Sequence, residues 1–339
     1  MRKVYTLFFL LFTLVFNNYV FADSALIKRN DVQQFINKMV KEHNFNRKQL
    51  VAILSNAEFQ PKIIESMEKP YEKKTWDVYR DLFLAPWRAE EGVKFWQENH
   101  EALARAEREY NVPANIIVAI IGVETLYGKH QGTYRVIDAL TTLAFNYPKR
   151  APFFTKELGE YLLLCRELKI PADKYLGSYA GAIGKPQFMP SSYRYYAVDF
   201  TGNGRRDLVN NNADAIGSVA NYFHKHGWKM NGAIAQPVKV SGAKYKKLAI
   251  NSRAPDYTVN HLLSAGVKTI SPVIDRPNKA GLIELITQNG NEYWMAYPNF
   301  YVITRYNTSP QYALVVYLFA QELESKWAAL QLKGDNKRA

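Results

Sequence analysis

Apolar positions recur at helical spacing from Asp31 to Tyr110, interrupted by turn signals at Gln60-Pro61, Lys69-Pro70 and Ala85-Pro86. Within this stretch Glu90–Tyr110 reads as one charged surface helix turning Phe95, Leu103 and Ala106 toward a core. Pro113 suits the first position of the next helix, with Gly128 as its C-terminal stop. Further helical patterns cover Arg135–Phe145, Phe153–Leu168 and Asp214–His226. After Trp228 the period changes: Val238-Lys239-Val240 alternates, Leu282–Thr287 is β-prone, and Asn289-Gly290 is a hairpin turn before Glu292–Tyr297. Asp256–Ala265 fits a short helix between strands, and Pro310–Leu332 returns to helix. The plan is mainly α with a small inserted β-containing domain (α+β). It comprises a helical N-terminal region 23–110, a core 111–231, the β-containing domain 232–298, a return to the core at 299–332 and a frayed tail 333–339.

The first 22 residues stand apart. Arg2 and Lys3 precede an apolar run from Val4 to Phe16, and Val20-Phe21-Ala22 supplies a cleavage site before Asp23. That layout is a secretory signal peptide; the run falls short of the ~20 residues of a membrane span. No cysteine follows it, so the mature chain has no site for a bacterial lipoprotein's lipid. The expected location is the periplasm, in soluble form.

Composition narrows the function classes. In 339 residues, 47% are apolar and 22% charged, which excludes a disordered chain. A net charge of +13 favours an anionic partner. Export and the lack of zinc-finger or RNP patterns argue against nucleic acid and leave cell-wall polymer or lipid head groups. The single cysteine, Cys165, lies in Tyr161-Leu162-Leu163-Leu164-Cys165 and reads as a packed core thiol.

One acid lies on an apolar helical face. Glu124 follows Ile117 by seven residues, Ile120 by four and Ile121 by three, so its carboxyl shares a side with three isoleucines. Such surroundings disfavour the charged form and should raise its pKa, as a general acid requires. Periodicity alone favours the blander alternative, a Glu near the helix end that reaches solvent or pairs with Lys129 or Arg135.

The neighbouring residues reverse that preference. Gly122-Val123-Glu124-Thr125-Leu126-Tyr127-Gly128 resembles the catalytic segment of the lysozyme-like lytic transglycosylases, specifically the membrane-bound lytic murein transglycosylase B family. Further matching blocks follow in order. They are Gly177-Ser178-Tyr179-Ala180-Gly181-Ala182-Ile183-Gly184 with Pro186-Gln187-Phe188-Met189-Pro190-Ser191-Ser192-Tyr193, then Asp214–Phe223, then Tyr301–Asn307. The resemblance implies a lysozyme-like core and cleavage of the β-1,4 bond between N-acetylmuramic acid and N-acetylglucosamine without water. One carboxyl group acts first as acid and then as base, and the muramyl 6-hydroxyl closes a 1,6-anhydro ring. Ordinary glycosidases need two carboxylates. The sequence offers no obvious second acid beside Glu124.

The same resemblance makes Ser178 a partner of the catalytic carboxyl and the substrate acetamide, and Gln187 a substrate contact. Tyr79, Tyr222, Tyr306 and Tyr312 would line the cleft, with Asn307 hydrogen-bonding there. Read without the family, Ser178 is turn chemistry after Gly177, Gln187 a turn stabiliser and Tyr222 a core residue. Arg150, beside Lys149, could meet a stem-peptide carboxylate or be a solvated cation.

Asp199-Phe200-Thr201-Gly202-Asn203-Gly204-Arg205-Arg206-Asp207 has the start of an EF-hand loop, with oxygen side chains at alternate positions and a glycine at the sixth. Asn210 stands where a bidentate Glu is usual. The resemblance implies an EF-hand-like site of Asp199, Thr201, Asn203, the Arg205 carbonyl and a closing Asp214, in a loop one residue longer than the family pattern. Its low charge predicts weak, structural calcium binding; a metal-free turn held by Gly202 and Gly204 fits equally. No cofactor is expected in catalysis.

The expected protein is a monomeric peptidoglycan lytic transglycosylase. Its partners would be glycan strands with their stem peptides and, among proteins, cell-wall synthesis or division factors. A lysozyme-type hydrolase and a non-catalytic wall-binding protein are the alternatives.

Overall fold

A computed structural model describes residues 25–69, 74–272 and 278–335. The leader 1–22, Pro70 of one turn signal and the tail's last residues 336–339 lie outside them. The chain divides between Glu58 and Phe59. Among the described residues the first unit holds a helical turn at 25–28 and then the helices α1 (Asn30–His43) and α2 (Arg47–Ser55). Val32, Phe35, Ile36 and Met39 of α1 and Leu50 and Leu54 of α2 are buried. Asn44 turns left-handed (φ 56°) to end α1, and the Asn46 side chain accepts from the Gln49 N–H to start α2.

The second unit carries everything else. It opens with α3 (Pro61–Glu68), α4 (Trp76–Phe83), α5 (Pro86–Glu98) and α6 (His100–Tyr110). The single helix expected over Glu90–Tyr110 is therefore two. Asn99 breaks it: its backbone leaves the helical region and its side-chain amide donates to the Phe95 carbonyl at 2.8 Å. Phe95, Leu103 and Ala106 are buried.

Helix α7 (Ala114–Thr125) follows, with Pro113 as N-cap. It is apolar on every side, so it belongs at the centre, where α5, α6, α11 and α14 enclose it. Strand β1 (Tyr134–Arg135), α8 (Val136–Asn146), α9 (Ala151–Leu168), β2 (Leu176–Gly177), α10 (Pro190–Tyr196) and α11 (Asn212–Lys225) complete the helical body. Strands β1 and β2 pair antiparallel, Tyr134 opposite Gly177. Cys165 is buried on α9, and burial pushes its thiol up to about 12.

The β segment holds β3 (Ala235–Val240), α12 (Val259–Ser264), β4 (Val267–Thr269), β5 (Gly281–Thr287) and β6 (Gly290–Ala296). The sheet order is β4-β3-β6-β5, antiparallel throughout. Thr287 pairs with Gly290, so Gln288 and Asn289 form the turn, one residue earlier than the Asn-Gly signal suggests. Both faces are covered. Val238, Val267, Leu282 and Met295 pack with α12 in a small core, while Ala235, Ile283, Leu285 and Ala296 join the main one.

Helices α13 (Pro298–Tyr306) and α14 (Pro310–Asp335) close the chain. The latter runs three residues past the expected start of the tail. Ala313–Val316, Phe319, Ala320 and Leu323 of α14 are buried, so it returns to the main core.

Candidate active site

From Ile116 to Leu126 every residue is buried except Glu124, which is half-exposed. An apolar helix thus presents one carboxyl group at its open end. The helix stops one residue later, at Thr125 rather than at Gly128. Leu126 (φ 50°), Tyr127 (φ 60°) and Gly128 (φ 92°) are all left-handed. The Leu126 and Tyr127 N–H groups close the helix on the Gly122 and Ile121 carbonyls, a Schellman-type ending. Two non-glycine residues in that region cost on the order of 1–3 kcal/mol each, so packing must hold them. It does: the Tyr127 ring stacks on Phe95 (5.0 Å) and fills the space left by Gly92 and Gly122.

The Tyr312 hydroxyl donates to Glu124 Oε1 at 2.5 Å. Tyr312 is buried on α14, and its ring is parallel to that of Tyr306 (6.5 Å, 11°). Tyr306 stacks on Phe223 and meets Tyr222 edge-on at 4.9 Å; its hydroxyl donates to the Pro186 carbonyl at 2.5 Å. The Tyr222 hydroxyl donates to the Arg305 carbonyl at 2.6 Å. Burial first, and then the nearby Glu124 carboxylate, hold the Tyr306 and Tyr312 phenols well above the ordinary tyrosine range. Both are therefore neutral donors at any working pH. Tyr79, buried on α4, packs on Phe83 at 5.1 Å and sits close enough to Tyr312 to act on its charge.

The remaining expected site residues divide. Ser178 Oγ accepts from the Ala180 and Ala182 N–H groups at 3.3 and 3.1 Å, closing its own turn. Gln187 is left-handed (φ 49°), and its amide donates to the Gln131 and Gly184 carbonyls. Asn307 Oδ1 accepts from the Ser309 N–H at the entry to α14. Arg150 is exposed and lies over the Phe153 and Phe154 rings, 4.5 and 5.2 Å away, rather than over the tyrosines. The structure thus brings Glu124, Tyr312, Tyr306 and Tyr222 into one cluster, which the Pro186 carbonyl joins to the segment bearing Gln187.

Sequence reasoning passed over several residues that frame this cluster. Thr125 Oγ1 donates to the Lys185 carbonyl at 2.7 Å and accepts from the Gly128 N–H at 3.0 Å. Arg88 donates to the Gly122 carbonyl at 3.0 Å. His226 stacks on Tyr222 at 4.1 Å, and burial holds its pKa below the usual histidine range.

In the 199–214 loop, Asp199 accepts from the Gly202, Asn203 and Gly204 N–H groups. Buried Asp214 accepts from the Phe200, Thr201 and Asp207 N–H groups. Thr201 Oγ1 stands 3.3 Å from Asp199 Oδ1 and 3.4 Å from Asp214 Oδ1, so three oxygens of separate residues converge. Asn203 Oδ1 instead accepts from the Arg205 N–H. Among the described residues no group of three or more His, Cys, Asp or Glu is placed to hold a metal ion.

The transglycosylase SLT domain model matches residues 28–321. The chain is 42% identical to membrane-bound lytic murein transglycosylase B of Escherichia coli K12 over 307 residues, 86% of this chain and 82% of that protein. Among solved structures, it is similar to the soluble lytic transglycosylase SltB1 of Pseudomonas aeruginosa (42% identity, TM-score 0.79, covering 86% and 98% of the two chains). It is also similar to an Escherichia coli lytic transglycosylase solved with calcium (41% identity, TM-score 0.79, covering 89% and 95%).

Proposed function

The chain belongs to the transglycosylase SLT domain family and is a peptidoglycan lytic transglycosylase, and from that premise we propose that Glu124 is its acid and then its base. The observation carrying this reading is the lone half-exposed carboxyl on a buried helix, with the Tyr312 hydroxyl 2.5 Å away. In its protonated form the carboxyl gives its proton to the oxygen linking N-acetylmuramic acid to N-acetylglucosamine. The C1–O bond breaks, and the 2-acetamido oxygen shares the charge left at C1. The carboxylate then takes the proton of the muramyl 6-hydroxyl as O6 bonds to C1, forming the 1,6-anhydro product. Water is neither consumed nor released.

Tyr222, Tyr306 and Tyr312, with their hydroxyls fixed, and Tyr79 are assigned to the wall of the sugar cleft. Ser178, Gln187 and Asn307 are assigned to the substrate's polar groups, and Arg150 to a stem-peptide carboxylate. Residues 111–231 with 299–332 form the catalytic core in this reading, and 232–298 a supporting module. We infer from the leader export to the periplasm, in soluble form after cleavage. Cell-wall synthesis or division proteins are its expected protein partners.

The test is digestion of purified cell-wall sacculi. Released muropeptides should be lighter by one water than the reducing-end products of a hydrolase, and a wall-binding protein would release none.

Tyr312→Phe isolates the contribution of the hydroxyl. A hydrogen bond to the charged carboxylate favours ionisation, so its loss disfavours the charged form and raises the Glu124 pKa. At about 1.5–3 kcal/mol for such a bond, the limb of the kcat–pH profile reporting Glu124 should move up by about one to two pH units.

The convergent oxygens of Asp199, Thr201 and buried Asp214 fit a hard cation, and a set with only two carboxylates makes the site weak. Calcium bound there would brace the loop and stay outside the reaction. With Kd near the millimolar level, about 10 mM calcium should raise Tm by about 2–4 °C. Chelation should reverse the rise, and Asp199→Ala should abolish it in the same thermal melt.

A further inference from the structure

Lys185 is a lysine in an unusual place. Only 8% of it is exposed, and it forms no ion pair among the described residues. Its ammonium instead donates to the Val209 carbonyl at 2.7 Å, and its backbone N–H donates to the Leu208 carbonyl at 2.8 Å. On the other side, its own carbonyl accepts the Thr125 hydroxyl at 2.7 Å. Its aliphatic stem is pressed against Gly128, where an added Cβ would lie 2.9 Å from Cε. Gln131 doubles the connection: its amide donates to the Val209 and Gly128 carbonyls, and its carbonyl accepts from the Gln187 amide.

Burying an ammonium costs free energy, and burial holds the Lys185 pKa below the usual lysine range. A methionine would fill the same apolar space without that cost. What lysine adds is a charge that the Asp207 carboxylate favours, and one directed donor tying the 207–209 segment to the residue that receives the Thr125 hydroxyl. Thr125 adjoins Glu124 at the strained helix end, where backbone φ is positive for the next three residues. The Schellman bonds and the Tyr127 ring hold this turn from its helix side, and the Thr125 hydroxyl ties it to the 185 segment on the other.

We propose that Lys185 is a positioning residue for the reaction, a strut from the Val209 carbonyl through Thr125 that sets where the Glu124 carboxyl group stands. The inference rests on the reading of Glu124 as the acid. Lys185 touches no substrate; it acts through Thr125, while Gln131 reaches the same Val209 carbonyl by its own bond. Misplacing a reacting group by about 1 Å costs up to roughly 10²-fold in rate. Losing the strut should therefore lower kcat and leave glycan binding, which the tyrosines carry, in place.

The experiment compares wild type, Lys185→Met, Thr125→Val and the double variant on a soluble glycan oligomer, below the Tm of each. The expected result is a fall in kcat of roughly 10- to 100-fold in each single variant, with KM within about twofold and the Glu124 limb of the pH profile displaced. The double variant should lose no more than the worse single, since both cut one strut. Wild-type kcat in a folded Lys185→Met, or fully additive losses, would overturn the proposal. If Lys185→Met does not fold, Lys185→Arg decides. Its planar cation cannot occupy the slot beside Gly128 without shifting the 207–209 segment, so kcat should fall with KM held, and an unchanged kcat overturns the strut. Glu124→Gln, run alongside, keeps the two readings apart. An active Glu124→Gln sinks the acid assignment, whereas an inactive one beside a fully active Lys185→Met sinks only the strut.

Discussion

Glu124→Gln should lose roughly 10²–10⁴ in kcat while folding as the wild type does, because the amide keeps the shape of the carboxyl and removes only its proton chemistry. The Tyr312 hydroxyl can still donate to the amide oxygen, so the cluster of Tyr312, Tyr306 and Tyr222 has no reason to move. KM should change little, since the rings and the Gln187 segment are untouched. Muropeptide release per unit time, with a urea melt as control, reads both quantities. A drop in kcat accompanied by an unchanged midpoint distinguishes lost acid catalysis from lost structure.

The largest effect on stability is expected at Gly132. A Cβ there would lie 2.0 Å from the Gly177 carbonyl oxygen and 2.5 Å from the Ser178 nitrogen, and φ is +97°. Both contacts are backbone atoms beside the β1–β2 pairing, so no side chain can rotate away. Gly132→Ala must therefore push neighbouring chain segments apart and adopt a strained φ together. It should cost on the order of 3 kcal/mol or more, read as a lower urea midpoint, and should displace Ser178 and reduce activity with it. Gly202→Ala is the comparison. Its φ is +72° but nothing lies within 4 Å of the added carbon, so only the backbone term remains, about 1 kcal/mol.

Much of the frame was legible because burial and period speak locally. A β-prone run before an Asn-Gly turn signal told the β5–β6 hairpin, its turn misplaced by one residue. Cys165 among leucines was readable as core for the same reason. What escaped depends on contacts distant in the chain. Asn99 breaks a helix through a bond that its side chain was free to make or not. Leu126 and Tyr127 adopt left-handed backbone only because Phe95, Gly92 and Gly122 receive the Tyr127 ring. Glu124 stood out by its spacing from three isoleucines, but Tyr312, 188 residues away, could be placed beside it only by family resemblance. Thr125, Lys185 and Gln131 have no pattern of their own; their meaning lies in which carbonyl each one reaches.

The proposed reaction breaks the glycosidic C1–O bond and has the muramyl 6-hydroxyl, in place of water, bond to the anomeric carbon. Digestion of sacculi in water enriched with heavy oxygen measures that directly. Muramyl ends formed by this protein should carry no heavy oxygen and should resist borohydride reduction. Heavy oxygen at the new anomeric carbon, in an end that borohydride reduces, would show that water had attacked and would contradict the account.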